Sequence, residues 1–188
     1  LTLANVAGQE NAAARGDLDI TEGGTFSLTI NGAGINSTFI KANQIDRVFQ
    51  LFPGTIVTFK NLTITGGLAQ DDGTAGAAPG STNPYGGGIL SNGASLTLNS
   101  AGVDSNVARG ANGIAVNASN GTNGKVAAGG GIYASGGSLA LSYASITRNQ
   151  SLGGNGGAGA IDVTGFAGGN GGDAFGGGVS APGIPSLS

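Results

Sequence analysis

The chain has 188 residues, of which 40 are Gly and only 9% are charged, and its formal net charge at pH 7 is −3. A disordered chain would carry more charge and fewer apolar residues than the 39% found here, and a collagen would place Gly at every third position throughout. The seven basic residues stand singly, and Cys and His are absent, which excludes a basic nucleic-acid patch, disulfides and thiolate metal sites.

Short alternating segments separated by Gly, Asn and Ser predict β-strands along the whole chain. The first lies at 1–3, and an early repeat contains 26–30 followed by 39–40. The next repeat contains 55–59 and 62–67. No run with helical spacing separates these segments, so architectures that alternate strands and helices do not fit. No apolar run reaches the roughly 20 residues of a membrane-spanning helix.

Three later repeats share a signature of three glycines followed by an aliphatic residue, found at 86–89, 129–132 and 176–179. Downstream of the first two signatures, 95–98 matches 138–141, and 103–106 matches 146–149. Both matches have the same offset of 43 residues. A further copy of the strand begins at 186–188. The repetition predicts one structural unit that recurs along the chain.

The alternation within each repeat puts the aliphatic residues on one face of each strand. A repeat that cannot bury its own apolar face must stack on its neighbour. We therefore predict an all-β fold, a right-handed parallel β-helix that forms a single domain over 1–188 and belongs to a larger protein. The side chains expected to face inward are Leu96, Leu98, Val103, Leu139, Leu141 and Ile146.

Three longer insertions, at 68–85, 107–128 and 150–175, fall at the same corner of the repeat. Insertions at one corner should lie side by side, so we predict a Gly-rich flap along one side of the molecule. Its composition is mainly Gly, Ala, Asn, Ser and Thr. The few apolar residues expected to anchor it are Ile114, Val116, Ile161, Val163 and Phe166.

Four segments, at 16–20, 28–34, 46–49 and 62–67, together resemble the CSLREA-type bacterial β-helix surface proteins. That group is similar to the polymorphic outer-membrane protein repeats and has the pectate-lyase-like fold. The resemblance covers nearly the whole chain, although the N-terminal motif that names the group is absent. It implies a large, secreted protein at the cell surface, without catalytic activity.

Two sets of charged residues suggest enzyme chemistry, because hydrolases on β-helices use paired carboxylates and lyases of this fold use an Arg base with calcium. Asp71 and Asp72 form the first set, but no His accompanies them, and we expect them at a solvated loop tip. Arg148 should lie next to Asp104 of the preceding repeat, where a surface ion pair is expected. We therefore predict no enzyme activity and assign no catalytic residue.

The segment 168–175 matches the calcium-binding nonapeptide of β-rolls, in which each ion is held between tandem copies. The candidate partner copy at 153–157 is followed by Ala158 where an Asp is needed. One Asp among glycines is poor coordination for calcium, which takes six to eight oxygens. We therefore predict no metal and no cofactor. Asn106 and Asn149, which share a register position, are expected to form an internal amide ladder.

Two functions remain open after these exclusions. The leading hypothesis is a structural or adhesive module, such as a stalk or filament subunit, that self-associates head-to-tail or stacks on flanking β-helix coils. The Gly-rich flap, low in charge, is a second contact surface under this hypothesis. The alternative is a carbohydrate-binding or polysaccharide-degrading domain, for which a groove with aromatic residues is needed and only Tyr85, Tyr133 and Tyr143 are present as tyrosines.

Overall fold

The computed structural model describes residues 16–21, 24, 27–116, 119–160 and 165–184. Every regular element in these residues is a β-strand. No helix suited to crossing a membrane occurs among them. The strands predicted at 1–3 and 186–188 lie outside the described residues, as do Ile161 and Val163.

The strands follow the predicted repeats in chain order. The first repeat contains β1 (Leu18–Ile20), β2 (Ser27–Asn31) and β3 (Phe39–Lys41). The second contains β4 (Phe49–Leu51), β5 (Ile56–Lys60), β6 (Thr63–Thr65) and β7 (Leu68–Ala69). The third contains β8 (Ile89–Asn92), β9 (Ser95–Asn99), β10 (Gly102–Asp104) and β11 (Val107–Arg109). The remainder are β12 (Ala127–Ala128), β13 (Ile132–Ser135), β14 (Ser138–Ser142), β15 (Ser145–Thr147), β16 (Gln150–Leu152), β17 (Ala174–Phe175) and β18 (Val179–Ser180).

Equivalent strands of successive repeats pair side by side and form five sheets. Sheet 1 has the order β1-β4-β8-β13-β18, sheet 2 β2-β5-β9-β14, sheet 3 β3-β6-β10-β15, sheet 4 β7-β11-β16 and sheet 5 β12-β17. The pairings are parallel. The predicted register is confirmed, since Leu139 lies opposite Leu96 and Ile146 opposite Val103. The fold is therefore all-β, with parallel strands stacked repeat upon repeat.

The core lies between the inner faces of sheets 1, 2 and 3 and is almost entirely aliphatic, with Phe49 and Phe59 in ring contact at 4.6 Å. Four of the six predicted inward residues, Leu96, Leu98, Val103 and Leu139, are fully buried. The other two, Leu141 and Ile146, are only half-buried but pack against the same core. They lie on β14 and β15, each of which has a single neighbouring strand in the described part of the chain.

The predicted amide ladder is confirmed. The Asn106 side-chain amide donates to Asn149 Oδ1 at 2.9 Å and to the Ile64 carbonyl at 3.2 Å. Asn106 Oδ1 accepts the backbone N–H of Gly67 at 2.9 Å, which extends the ladder to the preceding repeat. A buried amide whose donors and acceptor are all used fixes the register of the strands beside it.

The three insertions lie next to one another, as predicted. The first covers the outer face of sheet 1, where the Gln50 side chain donates to the Gly73 carbonyl at 2.8 Å. Its Asn83 side chain accepts the N–H of Val126 in the second insertion at 3.0 Å. The expected apolar anchoring is wrong for Ile114, which is 65% exposed, because backbone hydrogen bonds hold these segments instead.

The second and third insertions begin and end in short strands, β11, β12, β16 and β17, which pair in sheets 4 and 5. Between these strands lie four extended segments with no β-ladder between them. We call them segment a (110–116), segment b (119–126), segment c (153–160) and segment d (165–173). Segments a and b make up a lower layer, and segments c and d lie on it as an upper layer. Within the lower layer, Lys125 N donates to Ala111 O and Thr122 N to Ile114 O. In the upper layer, Gly172 N and Gly169 N make the corresponding bonds to segment c.

Hydrogen bonds between these segments recur every third residue, which is the period of the polyproline-II helix. That helix makes no internal hydrogen bonds, so its N–H groups are free to bond neighbouring chains. Close approach requires Gly: a Cβ at Gly154 or Gly157 would overlap a carbonyl oxygen of segment a, and one at Gly169 or Gly172 a carbonyl oxygen of segment b. Glycine at every third position, a pattern that does not extend over the whole chain, is therefore present within these segments.

Candidate functional site

The outer face of sheet 3 carries a shallow cavity of about 150 Å³, which we call the sheet-3 groove. Its lining residues are Ile35, Asn36, Phe39, Thr63, Gly102, Asp104, Ser145, Thr147 and Arg148. The sheet-3 groove forms because Gly102 has no side chain, whereas its register partners Thr63 and Ser145 have one. A Cβ at Gly102 would stand 2.6 Å from Thr63 Oγ1, so the hydroxyl and the glycine fit together.

One wall of the sheet-3 groove is the ion pair between Arg148 and Asp104, which confirms the expected surface pair. Arg148 Nε donates to Asp104 Oδ1 at 2.8 Å, and its Nη2 donates to Oδ2. The Thr147 hydroxyl also donates to Asp104 Oδ1, at 2.9 Å. These hydrogen bonds, first of all those from Arg148, lower the pKa of the Asp104 carboxyl. Asp104 is therefore held as a carboxylate that accepts four hydrogen bonds, the fourth from the Ser105 hydroxyl at 3.2 Å.

Arg148 lies beside Asp104 because its backbone forms a left-handed turn, in which its φ is 54°. Ser105 and Gly66 have the same conformation at the equivalent positions of the two preceding repeats. A non-Gly residue with positive φ is uncommon, and here the stacked turns impose it. The turn projects the guanidinium over the corner between sheets 3 and 4.

A second, wider depression of about 580 Å³ adjoins the groove at Arg148. It is lined by Gln44, Ser105, Val107, Arg109, Arg148, Asn149 and Gln150. Lys41 lies at the other side of Gln44 and places its ammonium 5.2 Å from the Phe39 ring centre. Three exposed cations thus border one corner of a chain whose net charge is negative. The arrangement suits an anionic, hydroxyl-rich ligand.

The predicted solvated loop tip at Asp71 is wrong, because Asp71 is fully buried. Its carboxylate accepts a hydrogen bond from Arg47 Nη2 at 2.7 Å, and its backbone carbonyl accepts another at 2.9 Å. The Asp72 side chain stays within its own loop, where its Oδ1 accepts the backbone N–H of Thr74 at 3.0 Å. The two carboxylates therefore do not converge on a common site, and Asp71 joins the first insertion to the body of the protein.

Arg47 is itself fully buried and lies close to further carboxyl groups. Its Nη1 lies 3.7 Å from Asp17 Oδ2 and donates to Gln50 Oε1 at 3.1 Å. Asp46 Oδ1 accepts the backbone N–H of Arg47 at 2.7 Å. Two buried carboxyl groups, those of Asp17 and Asp71, therefore lie against one guanidinium, and Asp46 binds the backbone of the same residue. Burial raises the pKa of Asp17 to about 8, with Arg47 opposing the shift and Asp46 and Asp19 adding to it.

This buried cluster was not predicted from the sequence, although charged residues make up only 9% of the chain. Nothing local indicated that Asp17, Arg47 and Asp71, far apart in the chain, would meet. The register of sheet 1 brings β1 beside β4, and the first insertion folds back over that edge. Among the described residues no three His, Cys, Asp or Glu side chains are placed to hold a metal ion.

The segment compared with calcium-binding nonapeptides lies in segment d and β17, with Asp173 exposed. Its neighbours are backbone groups of the other glycine-rich segments. The three tyrosines do not form a common surface. Tyr85 and Tyr133 stack on each other at 4.4 Å, and Tyr143 stands apart at 90% exposure. The aromatic side chain beside the groove is instead Phe39.

No protein-family model, curated protein or solved structure matches this chain.

Proposed function

We propose that this chain is a single right-handed parallel β-helix domain within a larger, secreted bacterial surface protein. In this proposal it acts as a non-catalytic structural or adhesive module, such as a stalk or filament subunit, at the cell surface. The resemblance to CSLREA-type surface proteins supports the location, and it rests on short segments such as 16–20 and 62–67.

The observation that carries the proposal is the unbroken stacking of equivalent strands. Sheet 1 runs through five successive repeats, and sheets 2 and 3 through four each. The amide ladder from Gly67 to Asn149 and the contact of Arg47 with Asp17 join neighbouring repeats. Contacts of this nearest-neighbour kind build a stiff, elongated object to which more repeats can be added. Head-to-tail self-association or stacking on flanking coils follows from the same architecture.

Small-angle scattering of the purified chain tests the architecture, since a β-helix gives an elongated particle. A compact, near-spherical particle would contradict it. Turnover assays against a panel of surface polysaccharides test the absence of catalysis. Cleavage that disappears in Asp104→Asn, the carboxylate of the sheet-3 groove, would overturn the non-catalytic assignment.

The sheet-3 groove supports a second candidate function, binding of an acidic polysaccharide. Arg148 in the groove, with Lys41 and Arg109 in the depressions beside it, offers positive charge. The exposed Phe39 ring offers an apolar face for a sugar, and Thr147 and Ser145 offer hydroxyls. Retention on an immobilised acidic polysaccharide tests this function. Arg148→Gln should weaken retention, whereas Lys60→Gln, which removes the same charge from sheet 2, should not.

A further inference from the structure

Two of the three tyrosines form a stacked pair on the outer face of sheet 1. The ring centres of Tyr85 and Tyr133 lie 4.4 Å apart, with 11° between the ring planes. Nearly parallel rings at this separation have carbon atoms in van der Waals contact. Tyr85 is the last residue of the first insertion, whereas Tyr133 belongs to β13. The stack therefore joins two parts of the fold that are far apart in the chain.

The backbone of each tyrosine is held in place by its neighbours. Tyr133 lies inside sheet 1, where β13 pairs with β8 on one side and with β18 on the other. Tyr85 forms a parallel bridge with Ala128, and its N–H donates to the Asp71 carbonyl at 3.1 Å. Because both backbones are fixed, the two phenols meet at a high effective concentration, which favours a reaction between them.

The two side chains are only partly buried. An oxidant can therefore reach the rings, and the rings have room to slide until the carbons beside their hydroxyl groups meet. Burial raises the pKa of the Tyr133 phenol, and the neighbouring Tyr85 adds to this shift. The Tyr133 phenol is therefore neutral near pH 7 and releases a proton when it is oxidised.

The composition of the chain directs oxidation to tyrosine. Cys, Met, Trp and His are all absent, so the thiols and thioethers that oxidants attack most readily do not compete. Tyrosine is then the most easily oxidised side chain. The third tyrosine, Tyr143, is 90% exposed and takes no part in the stack. It can be oxidised as well, but it has no stacked phenol with which to react.

We propose that Tyr85 and Tyr133 form an oxidative cross-linking site, at which a peroxidase with hydrogen peroxide joins the two rings as dityrosine. Each phenol loses one electron and its O–H proton, which gives a phenoxyl radical. The two radicals form one carbon–carbon bond between the positions ortho to oxygen. The two ortho C–H bonds then break, and their protons return to the oxygens as both rings regain aromaticity. Hydrogen peroxide takes up the two electrons and two protons lost in total and becomes two molecules of water.

The new bond ties the end of the first insertion to β13. A covalent link between residues far apart in the chain restricts the unfolded state and so stabilises the fold, as a disulfide does. This chain has no Cys with which to form a disulfide. The site depends on the two stacked rings alone and is independent of the structural or adhesive role proposed above.

Oxidation of the dilute full chain by a haem peroxidase and hydrogen peroxide tests the proposal. Dityrosine fluorescence should appear in the monomeric fraction, and peptide mass spectrometry should find Tyr85 linked to Tyr133 with the loss of two hydrogen atoms. Tyr85→Phe and Tyr133→Phe should each abolish this link, because phenylalanine keeps the ring and has no O–H group to oxidise. The matched control, Tyr143→Phe, should keep the link within the monomer and lose cross-links between molecules.

Urea unfolding of the oxidised Tyr143→Phe monomer then measures what the link does, and its midpoint should lie above that of the untreated variant. Far-ultraviolet circular dichroism verifies that each variant is folded before oxidation. Absence of dityrosine from the wild-type monomer overturns the proposal, as does a link that persists in Tyr85→Phe. A link that forms without raising the urea midpoint refutes its stabilising role.

Discussion

Raising the pH from 5 to 9 should destabilise this protein through one buried carboxyl group, that of Asp17. The pKa of this group is raised from 3.8 to about 8 in the folded chain, chiefly by burial. The groups that face it are the Arg47 guanidinium, which opposes the shift, and the carboxyls of Asp46 and Asp19, which add to it. Near neutral pH the folded protein therefore holds a proton on Asp17 that the unfolded chain releases.

The sign and size of the effect follow from proton linkage. Because the folded state binds more protons than the unfolded state between the two pKa values, the free energy of unfolding falls as pH rises through that interval. The stabilisation is complete below the unfolded pKa and is lost once pH passes the folded value. At about 1.36 kcal/mol per pKa unit, the loss between pH 5 and 9 has an upper limit of roughly 4 kcal/mol.

Urea unfolding at pH 5, 7 and 9 measures this loss, and Asp17→Asn isolates it. The amide keeps the shape of the protonated carboxyl and cannot ionise, so the variant should show little pH dependence and should be more stable than the wild type at pH 9. The exposed Asp173→Asn is the control. The chain has no His or Cys to titrate in this interval. Equal pH dependence in wild type and Asp17→Asn would refute the reasoning.

Three further changes should alter stability in unfolding experiments. Leu139→Ala should cost about 2–5 kcal/mol, because the side chain is fully buried, and the half-buried Leu141→Ala less than half as much; equal costs would contradict the core assignment. Arg47→Met should cost about 3–5 kcal/mol by leaving the buried Asp71 carboxylate without its guanidinium partner. Gly172→Ala should lower the melting temperature of the glycine-rich layers, since its methyl group would overlap segment b, whereas its neighbour Gly171→Ala should leave it nearly unchanged.

Strand positions and register could be predicted because they depend on local alternation and on a constant offset. The 43-residue match between 95–98 and 138–141 corresponds to directly opposed residues in sheet 2. The amide ladder followed from the same register. The ion pair of Arg148 with Asp104 was predictable for this reason as well, since both residues lie next to matched strands.

The cluster around Arg47 could not be predicted because its members come from three separate turns of the chain. Asp17 precedes β1, Arg47 precedes β4, and Asp71 belongs to an insertion with no counterpart of similar sequence. An insertion has no periodic pattern that states where it folds back. Asp71 was expected to be exposed because of its Gly-rich surroundings, but its carboxylate is buried against the Arg47 guanidinium.

The close packing of the glycine-rich layers was not predicted either, although the sequence contains the glycine pattern that it requires. Segments c and d contain glycine pairs at three-residue spacing, as in Gly153-Gly154-Asn155-Gly156-Gly157. In a three-residue helix, a pair of adjacent glycines frees two of the three faces for close packing. Segment c uses one face for segment a and the other for segment d. Segment a has single glycines at the same spacing, and these lie against carbonyls of segment b. The positions of the glycines within each turn therefore mark the faces on which another backbone lies too close for a Cβ.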